Sequence, residues 1–250
     1  MKIQSALYLV PVPISGAPVS DVIPAGNLAV VGQLRHFIVE NLRTARRYLR
    51  HVDPAFPIAD CTFSVLDRHT GPEEVSSMLD PLRGGQPVGV MSEAGCPAVA
   101  DPGSHPVEIA QREGLKVVPL VGPSSILMSL MASGFNGQGF AFHGYLPIDG
   151  AEKKKALKRL ESESSARQMT QVFIETPYRN NRMVALLSET LSPSTMVCVA
   201  CDITDPEREE VVTAKAADWR KRKYDYDKRP AIFLLYAGAK GGDRRRYEKK

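Results

Sequence analysis

The sequence predicts an α/β protein made of two α/β domains, the first with a mostly parallel sheet and the second with a mixed one. Three observations lead there. Short apolar runs alternate with amphipathic stretches of helical length along almost the whole chain, the pattern left by βα units. The 250 residues, 43% of them hydrophobic, are ample for one large core or two ordinary ones. The strands and helices that can be counted exceed one comfortable sheet, and a Gly-Pro-Ser-Ser turn at 122–125 separates two complete runs of units. The expected division is therefore 1–122, 123–239 and a basic, disordered tail at 240–250.

In chain order, ALYLVPV (6–12) reads as the first strand. A helix follows from about Pro24 to Gln33, then the strand HFIVE (36–40) and a helix through LRTARRYLRHV (42–52). CTFSVL (61–66) is a strand, and PEEVSSMLDPL (72–82) a helix with proline in its first turn, where a missing N–H does no harm. PVGVMS (87–92) is a strand, HPVEIAQREG (105–114) a helix closed by Gly114, and LKVVPLVG (115–122) the next strand. GPSSILMSLMASG (122–134) starts a helix with proline and serines. FAFHGYLP (140–147) is a strand, and EKKKALKRLESE (152–163) a charged, exposed helix. QVFIETP (171–177), the helix YRNNRMVALLSETL (178–191), STMVCVACDI (194–203) and AIFLLYAG (231–238) complete the second run.

Composition narrows the classes. No stretch is apolar for the roughly 18 residues a membrane span needs, and Pro11 and Pro13 interrupt the opening apolar run, unlike a cleavable signal. A cytoplasmic protein is expected, with no membrane partner. Cys61 and Cys96 are isolated and Cys198 and Cys201 lie in an apolar run, so they read as packed cysteines and no metal is expected. The net charge of +4 comes from the tail, which holds six of the 32 basic and two of the 28 acidic residues; residues 1–239 carry 26 of each.

The stretch SEAGCPAVADPGSHPV (92–107) has the composition of neither helix nor strand. It begins where the strand 87–92 ends, at the carboxyl edge of a parallel sheet, where ligands bind. Glycine and proline there let main chain approach a small molecule while holding a fixed, non-repeating shape. Ordered loops of this length are uncommon and tend to be functional.

SEAGCPAVADPG resembles the SDAGTPLISDPG loop of the tetrapyrrole methylase superfamily, in particular the branch that methylates a cytidine ribose 2′-hydroxyl of small-subunit ribosomal RNA. The match rests on Ser92, Ala94, Gly95, Pro97, Asp101, Pro102 and Gly103, with Glu93 for Asp and Cys96 for Thr. VVPLVGPSSILMSLMASG is similar to that branch's VVPLPGPxAxxxALxxSG, HGYLP to GFLP and FIETPYR to FYESPHR, in the same order and spacing over about 85–190. The amino-terminal third departs from it. PVPISGAPVSD stands for ATPIGNLxD, VENLRTA for AEDTRHT with Asn41 and Thr44 exchanged in, and LDRHT for YHEHN.

The resemblance implies S-adenosylmethionine bound in the cleft between the two α/β domains of a homodimer. It places Pro13, Gly95, Cys96, Pro97, Val99, Ala100, Ser124, Ser125, Ile174, Pro230, Ala231 and Ile232 against the cofactor. Asp101 and Glu175 are candidates for orienting the acceptor or taking its proton, and His69 is a third candidate for proton transfer, with His105 beside it. Asp101 also suits a helix cap and Glu175 a turn. Glu40, Arg43, Arg47 and Arg179 fall to the acceptor. Arg43, Arg46, Arg47 and Arg50 share one helix face, a basic stripe fit for phosphates, joined by KKKALKR and the tail. His36 and His143 read as packed, and His51 as a cation at a helix end.

The expected function is methyl transfer to a ribosomal RNA ribose. Its alternatives are methylation of a tetrapyrrole or other small molecule, and a degenerate member that binds nucleotide or RNA without catalysis.

Overall fold

The structure, a computed structural model, describes residues 3–238; the basic tail inferred at 240–250 lies outside them. The chain divides after Ser124 into two compact units.

The first unit runs β1 (Leu7–Leu9), α1 (Val19–Val22), α2 (Ala25–Val31), β2 (His36–Val39), α3 (Leu42–Val52), β3 (Thr62–Val65), α4 (Pro72–Ser77), α5 (Asp80–Arg83), β4 (Val88–Met91), α6 (Ser104–Arg112) and β5 (Val117–Pro119). Its sheet has the order β3-β2-β4-β1-β5 and every pairing is parallel. Alternate strand residues face opposite layers. Tyr8, Phe37 and Val39 pack with Val31 of α2 and with Ala45 and Leu49 of α3, while Leu7, Ile38 and Val90 pack with α4, α5 and α6 through Val75, Leu82 and Ile109. Helices after β1 and β2 thus cover one face and helices after β3 and β4 the other, as right-handed crossovers require when the chain reverses direction along the sheet. The reversal brings β1 and β4 side by side, and their carboxyl ends are where a doubly wound sheet binds its ligand.

α3 begins and ends where its sequence signals it. Asn41 accepts hydrogen bonds through Oδ1 from the amides of Arg43 (2.9 Å) and Thr44 (3.2 Å), and Arg50 and His51 occupy the last turn. The helix expected over 72–82 is instead two, α4 and α5, broken at Met78–Leu79. Pro81 supplies no amide to continue the first helix and disfavours helical geometry just ahead of it.

The second unit runs α7 (Ser125–Ser133), β6 (Phe140–Tyr145), α8 (Gly150–Arg167), β7 (Thr170–Ile174), α9 (Asn180–Thr190), β8 (Met196–Cys201), β9 (Glu210–Lys215), α10 (Ala216–Trp219) and β10 (Ala231–Tyr236). Its sheet, β6-β7-β10-β8-β9, is mixed: β6 and β7 are parallel and the other pairs antiparallel. Phe173, Val199, Phe233 and Leu235 meet α8 and α9 on one face; Val172, Cys198, Ile232 and Leu234 meet Leu130 of α7 on the other. Cys198 and Cys201, three apart on a strand, therefore enter opposite layers. β9 and α10 have no counterpart in the elements expected from sequence. EVVTAK has the β-branched content of a strand but stands among charged residues, as an edge strand does.

α8 is not the wholly exposed helix its charge suggests. Asp149 caps it, accepting from the amides of Ala151 (2.9 Å) and Glu152 (3.0 Å), and that start turns Lys153, Leu157 and Leu160 inward. Among the described residues no helix is long and apolar enough to cross a membrane.

Candidate functional site

β4, β1 and β5 are neighbours in the sheet, so the loops leaving their carboxyl ends meet, and main chain ties them together. Val12 N–H donates to the Gly95 carbonyl (3.0 Å) and Gly95 N–H to that of Val12 (3.1 Å). The Cys96 thiol donates to the carbonyl of Pro123 (3.3 Å). Asn27 of α2, buried, donates Nδ2–H to the Val121 carbonyl (2.6 Å). Gly122 lies so close to Pro11 that a Cβ there would overlap the proline ring.

Within the loop after β4, Gly95 (φ 71°), Ala98 (φ 68°) and Ala100 (φ 64°) are left-handed. For alanine that conformation is strained, by about 1–2 kcal/mol each, and strain of this kind clusters at ligand-binding segments. Asp101 holds it: its Oδ1 accepts from the amides of Ala98 (2.9 Å) and Gly103 (2.7 Å). Ala94, Val99 and Ala100 are exposed, and Gly95 and Pro97 buried beneath them. The result is an edge of fixed peptide groups with Ala94, Val99 and Ala100 in front, chemistry that suits a nucleoside recognised by shape and by amide and carbonyl contacts. Pro13 follows the Val12–Gly95 bridge, Cys96 stands beside the Pro123 carbonyl, and Ser124 ends this unit; all belong to the same rim.

Three carboxyls also gather at this rim. Glu40, just past β2, accepts the Glu93 amide on Oε2 (3.1 Å). Burial pushes its pKa up, the Glu93 amide opposes that, and the negative charges of Glu93 and Asp101 add to the rise. A carboxyl whose pKa is raised by burial and like charge is a stronger base than a free one, a shift that is found at catalytic sites. His69 lies on the same carboxyl edge but beyond β3, the outermost strand, in an exposed turn where its amide donates to Asp67 (2.7 Å) and its Nε2 accepts from Arg68 (3.1 Å). His105 is exposed in the first turn of α6.

The other candidates of the first unit are on α3. Arg43, Arg46, Arg47 and Arg50 are all exposed. They do not act alike: Arg46 stacks over Phe63 (5.4 Å) and Arg50 donates to the Pro54 carbonyl (2.6 Å), whereas Arg47 has no hydrogen-bond or ion-pair partner among the described residues. Asn41, standing where the resembling family has an acid, retains the helix cap.

In the second unit, Ser125 opens α7. Ile174 and Ile232 are direct partners across β7 and β10, with Ala231 and Pro230 leading into β10, so these four residues share one end of the sheet. Glu175 follows Ile174. Its carboxylate receives Lys153 Nζ (2.6 Å) on one oxygen, and Arg179 Nη2 (3.0 Å) and the Thr176 amide (2.8 Å) on the other. Burial raises its pKa, yet the Lys153 bond, the Thr176 amide and the two cations outweigh that and hold it below the ordinary range. Glu175 is thus a tightly paired anion. Arg179 is turned toward it and toward Thr176, to whose hydroxyl its Nε donates (2.9 Å). Sequence reasoning passed over Lys153, whose place in a KKK run reads as a solvated face. The signal was its position four residues after the Asp149 cap, in line with Leu157 and Leu160.

No protein-family model matches the chain. It is similar to ribosomal RNA small subunit methyltransferase I of Vibrio cholerae serotype O1, 32% identical over 79% of this chain and 65% of that one. The protein of that name from Escherichia coli O157:H7 is 30% identical over 80% of this chain and 66% of the relative. The chain thus spans just under two thirds of the length of these relatives. Among solved structures, the fold is shared with diphthine synthase (TM-score 0.65, 14% identity, 93% of this chain and 90% of that one) and with the methyltransferase CobJ (TM-score 0.61, 17% identity, 92% and 93%).

Proposed function

We propose that the protein is an S-adenosylmethionine-dependent methyltransferase acting on a ribose 2′-hydroxyl of small-subunit ribosomal RNA, as a homodimer in the cytoplasm. The observation that carries this is the rim loop: left-handed Gly95, Ala98 and Ala100, locked by Asp101 and bridged to Val12, form a main-chain cradle, in the block whose sequence resembles the family's cofactor loop. Pro13, Gly95, Cys96, Pro97, Val99 and Ala100 would hold the cofactor there. When bound, the cofactor supplies a methyl already electrophilic on its sulfonium.

What remains for the protein is alignment of the acceptor and a place for its proton. In this reading Asp101 fixes the loop, Glu40 takes the proton, and Arg43 and Arg47 meet RNA phosphates. The homodimer is supported by α7, which leaves Leu127 (50%) and Met131 (82%) exposed one turn apart. The test is calorimetry with S-adenosylmethionine and its demethylated product, followed by transfer of labelled methyl into small-subunit RNA from cells lacking the gene. No binding at millimolar cofactor ends the proposal. A second reading, a tetrapyrrole acceptor, is favoured by the balanced charge of residues 1–239; label entering a porphyrin or corrin fraction and not RNA would select it.

A further inference from the structure

A cavity of about 860 Å³ opens in the first unit between the loop that follows β1 and the length of α3. Its walls differ in character. The loop side, through Val12, Pro13, Pro18 and Val19, is mostly apolar; the helix side presents Thr44, Arg47, Tyr48, Arg50 and His51; and Ser92 and Glu93 bring it to the carboxyl end of β4, where the rim loop starts. The volume lies in the range of small-molecule pockets, roughly 300–1,000 Å³, and far exceeds what a phosphate on a flat basic stripe needs.

Two side chains there stand apart from their neighbours. Arg47 is exposed and unpaired among the described residues, although its neighbours Arg46 and Arg50 are each engaged with the protein. Tyr48 lines the cavity, is 6% exposed, and its buried hydroxyl has no hydrogen-bond partner. A buried orphan such as the Tyr48 hydroxyl is rare because it forfeits its bonds to water without replacement, whereas the exposed Arg47 guanidinium remains open to a ligand. A helix designed only to be soluble places no phenol in that position; phenylalanine would pack as well. A cation, an unsatisfied hydroxyl and an apolar wall in one concavity match the phosphate, the polar edge and the face of a single nucleotide.

We infer that this cavity is a subsite for one unstacked nucleotide of a single-stranded RNA, adjoining the acceptor, with its phosphate on Arg47, its base against the Pro18–Val19 wall and a polar atom on the Tyr48 hydroxyl. This rests on the RNA-methylation reading and extends it. The acceptor would be a loop or a strand end, since duplex RNA keeps its bases stacked away from such a hollow.

The test compares binding of an end-labelled single-stranded decamer, r(AACCUACCAA), by fluorescence anisotropy for the full chain and three variants, with cofactor affinity measured on the same samples. Arg47→Gln should weaken the decamer about tenfold and lower the salt slope by about 1. Tyr48→Phe, which keeps the packing, should weaken it by about threefold to tenfold. Arg46→Gln, on the same helix but outside the cavity, should change it less than about twofold. Equal losses for Arg46→Gln and Arg47→Gln, or no effect of Tyr48→Phe, would overturn the subsite in favour of a diffuse basic face. Equal affinity of the cavity for uridine monophosphate would overturn it in favour of a free nucleotide. Failure of S-adenosylmethionine to bind the unaltered protein would instead refute the methyltransferase reading, and the two failures are read on separate ligands.

Discussion

The Lys153 ammonium lies 2.6 Å from the Glu175 carboxylate, with 10% and 4% of the two side chains exposed. A pair so enclosed resists loss of one member more than loss of both. Glu175→Gln leaves Lys153 buried without its counterion and should destabilise the protein by about 3 kcal/mol in urea denaturation. Lys153→Met should do less, since Arg179 and the Thr176 amide still serve the carboxylate, and the apolar pair Lys153→Met with Glu175→Leu should recover much of the loss. The depressed Glu175 pKa lies below its unfolded value, so its contribution is complete above the unfolded value and disappears as pH falls through the folded one. Glu175→Gln should flatten that acid limb.

Glu40 has the opposite sign. Its folded pKa is raised, first by burial and then by Glu93 and Asp101. Folding therefore favours its protonated form, and the stability it contributes is highest below the unfolded value and declines as pH rises toward the folded one. Glu40→Gln keeps an acceptor for the Glu93 amide and should leave the neutral-pH melting temperature unchanged or raised. In methyl-transfer assays the same variant should lose about 10² to 10⁴ in rate together with the acidic limb of the pH profile, while cofactor affinity stays within about twofold, a split that calorimetry and kinetics together resolve.

Asp101 is a positioning residue for the rim loop. Asp101→Ala removes the acceptor of two amides and should lower stability by about 1–3 kcal/mol and cofactor affinity by about tenfold or more. Asp101→Asn, retaining one oxygen, should keep most of both. Equal losses for the two variants in denaturation and calorimetry would show that charge, and not the shape of residues 98–103, is what Asp101 supplies.

Gly122→Ala tests the join between the loops after β1 and β5. The added methyl would meet the rigid Pro11 ring, and a small-to-large change in such a place costs about 1–3 kcal/mol. Because Cys96 donates to Pro123, the displacement should also reach the rim, weakening cofactor binding more than the melting temperature alone would suggest; Gly26→Ala, on open surface, is the control.

Much of this architecture is legible in local chemistry. Leu42–Val52 starts at an asparagine cap and ends in basic residues, and both boundaries can be read directly. The strands His36–Val39 and Val88–Met91 declare themselves as apolar runs because a parallel sheet buries both their faces. The loop 92–103 is legible as irregular structure from glycine and proline. What escapes is what depends on distant partners. Glu210–Lys215 is a strand because β8 accepts it as an edge, a fact its charged surroundings obscure. The break at Met78–Leu79 needs the weight of Pro81 against a good apolar pattern. Lys153 and Tyr48 look ordinary in sequence, one within a lysine run and the other among arginines. Their meaning lies in Glu175, 22 positions away, and in a cavity closed by another loop. Asp101 and Glu175 stand out by block similarity, but only the amides and cations around them tell a loop clamp and a saturated ion pair from the elevated acid at Glu40.

The bridge between Val12 and Gly95 has a bearing on how such a surface can drift over generations. Contacts made by peptide units survive exchange of most of the residues that own them, so the Glu93 and Cys96 replacements need not disturb what the edge grips. Truncating scans across 92–103 should be nearly silent outside Asp101, and the informative experiment there is enlargement: positions reveal their importance when atoms are added.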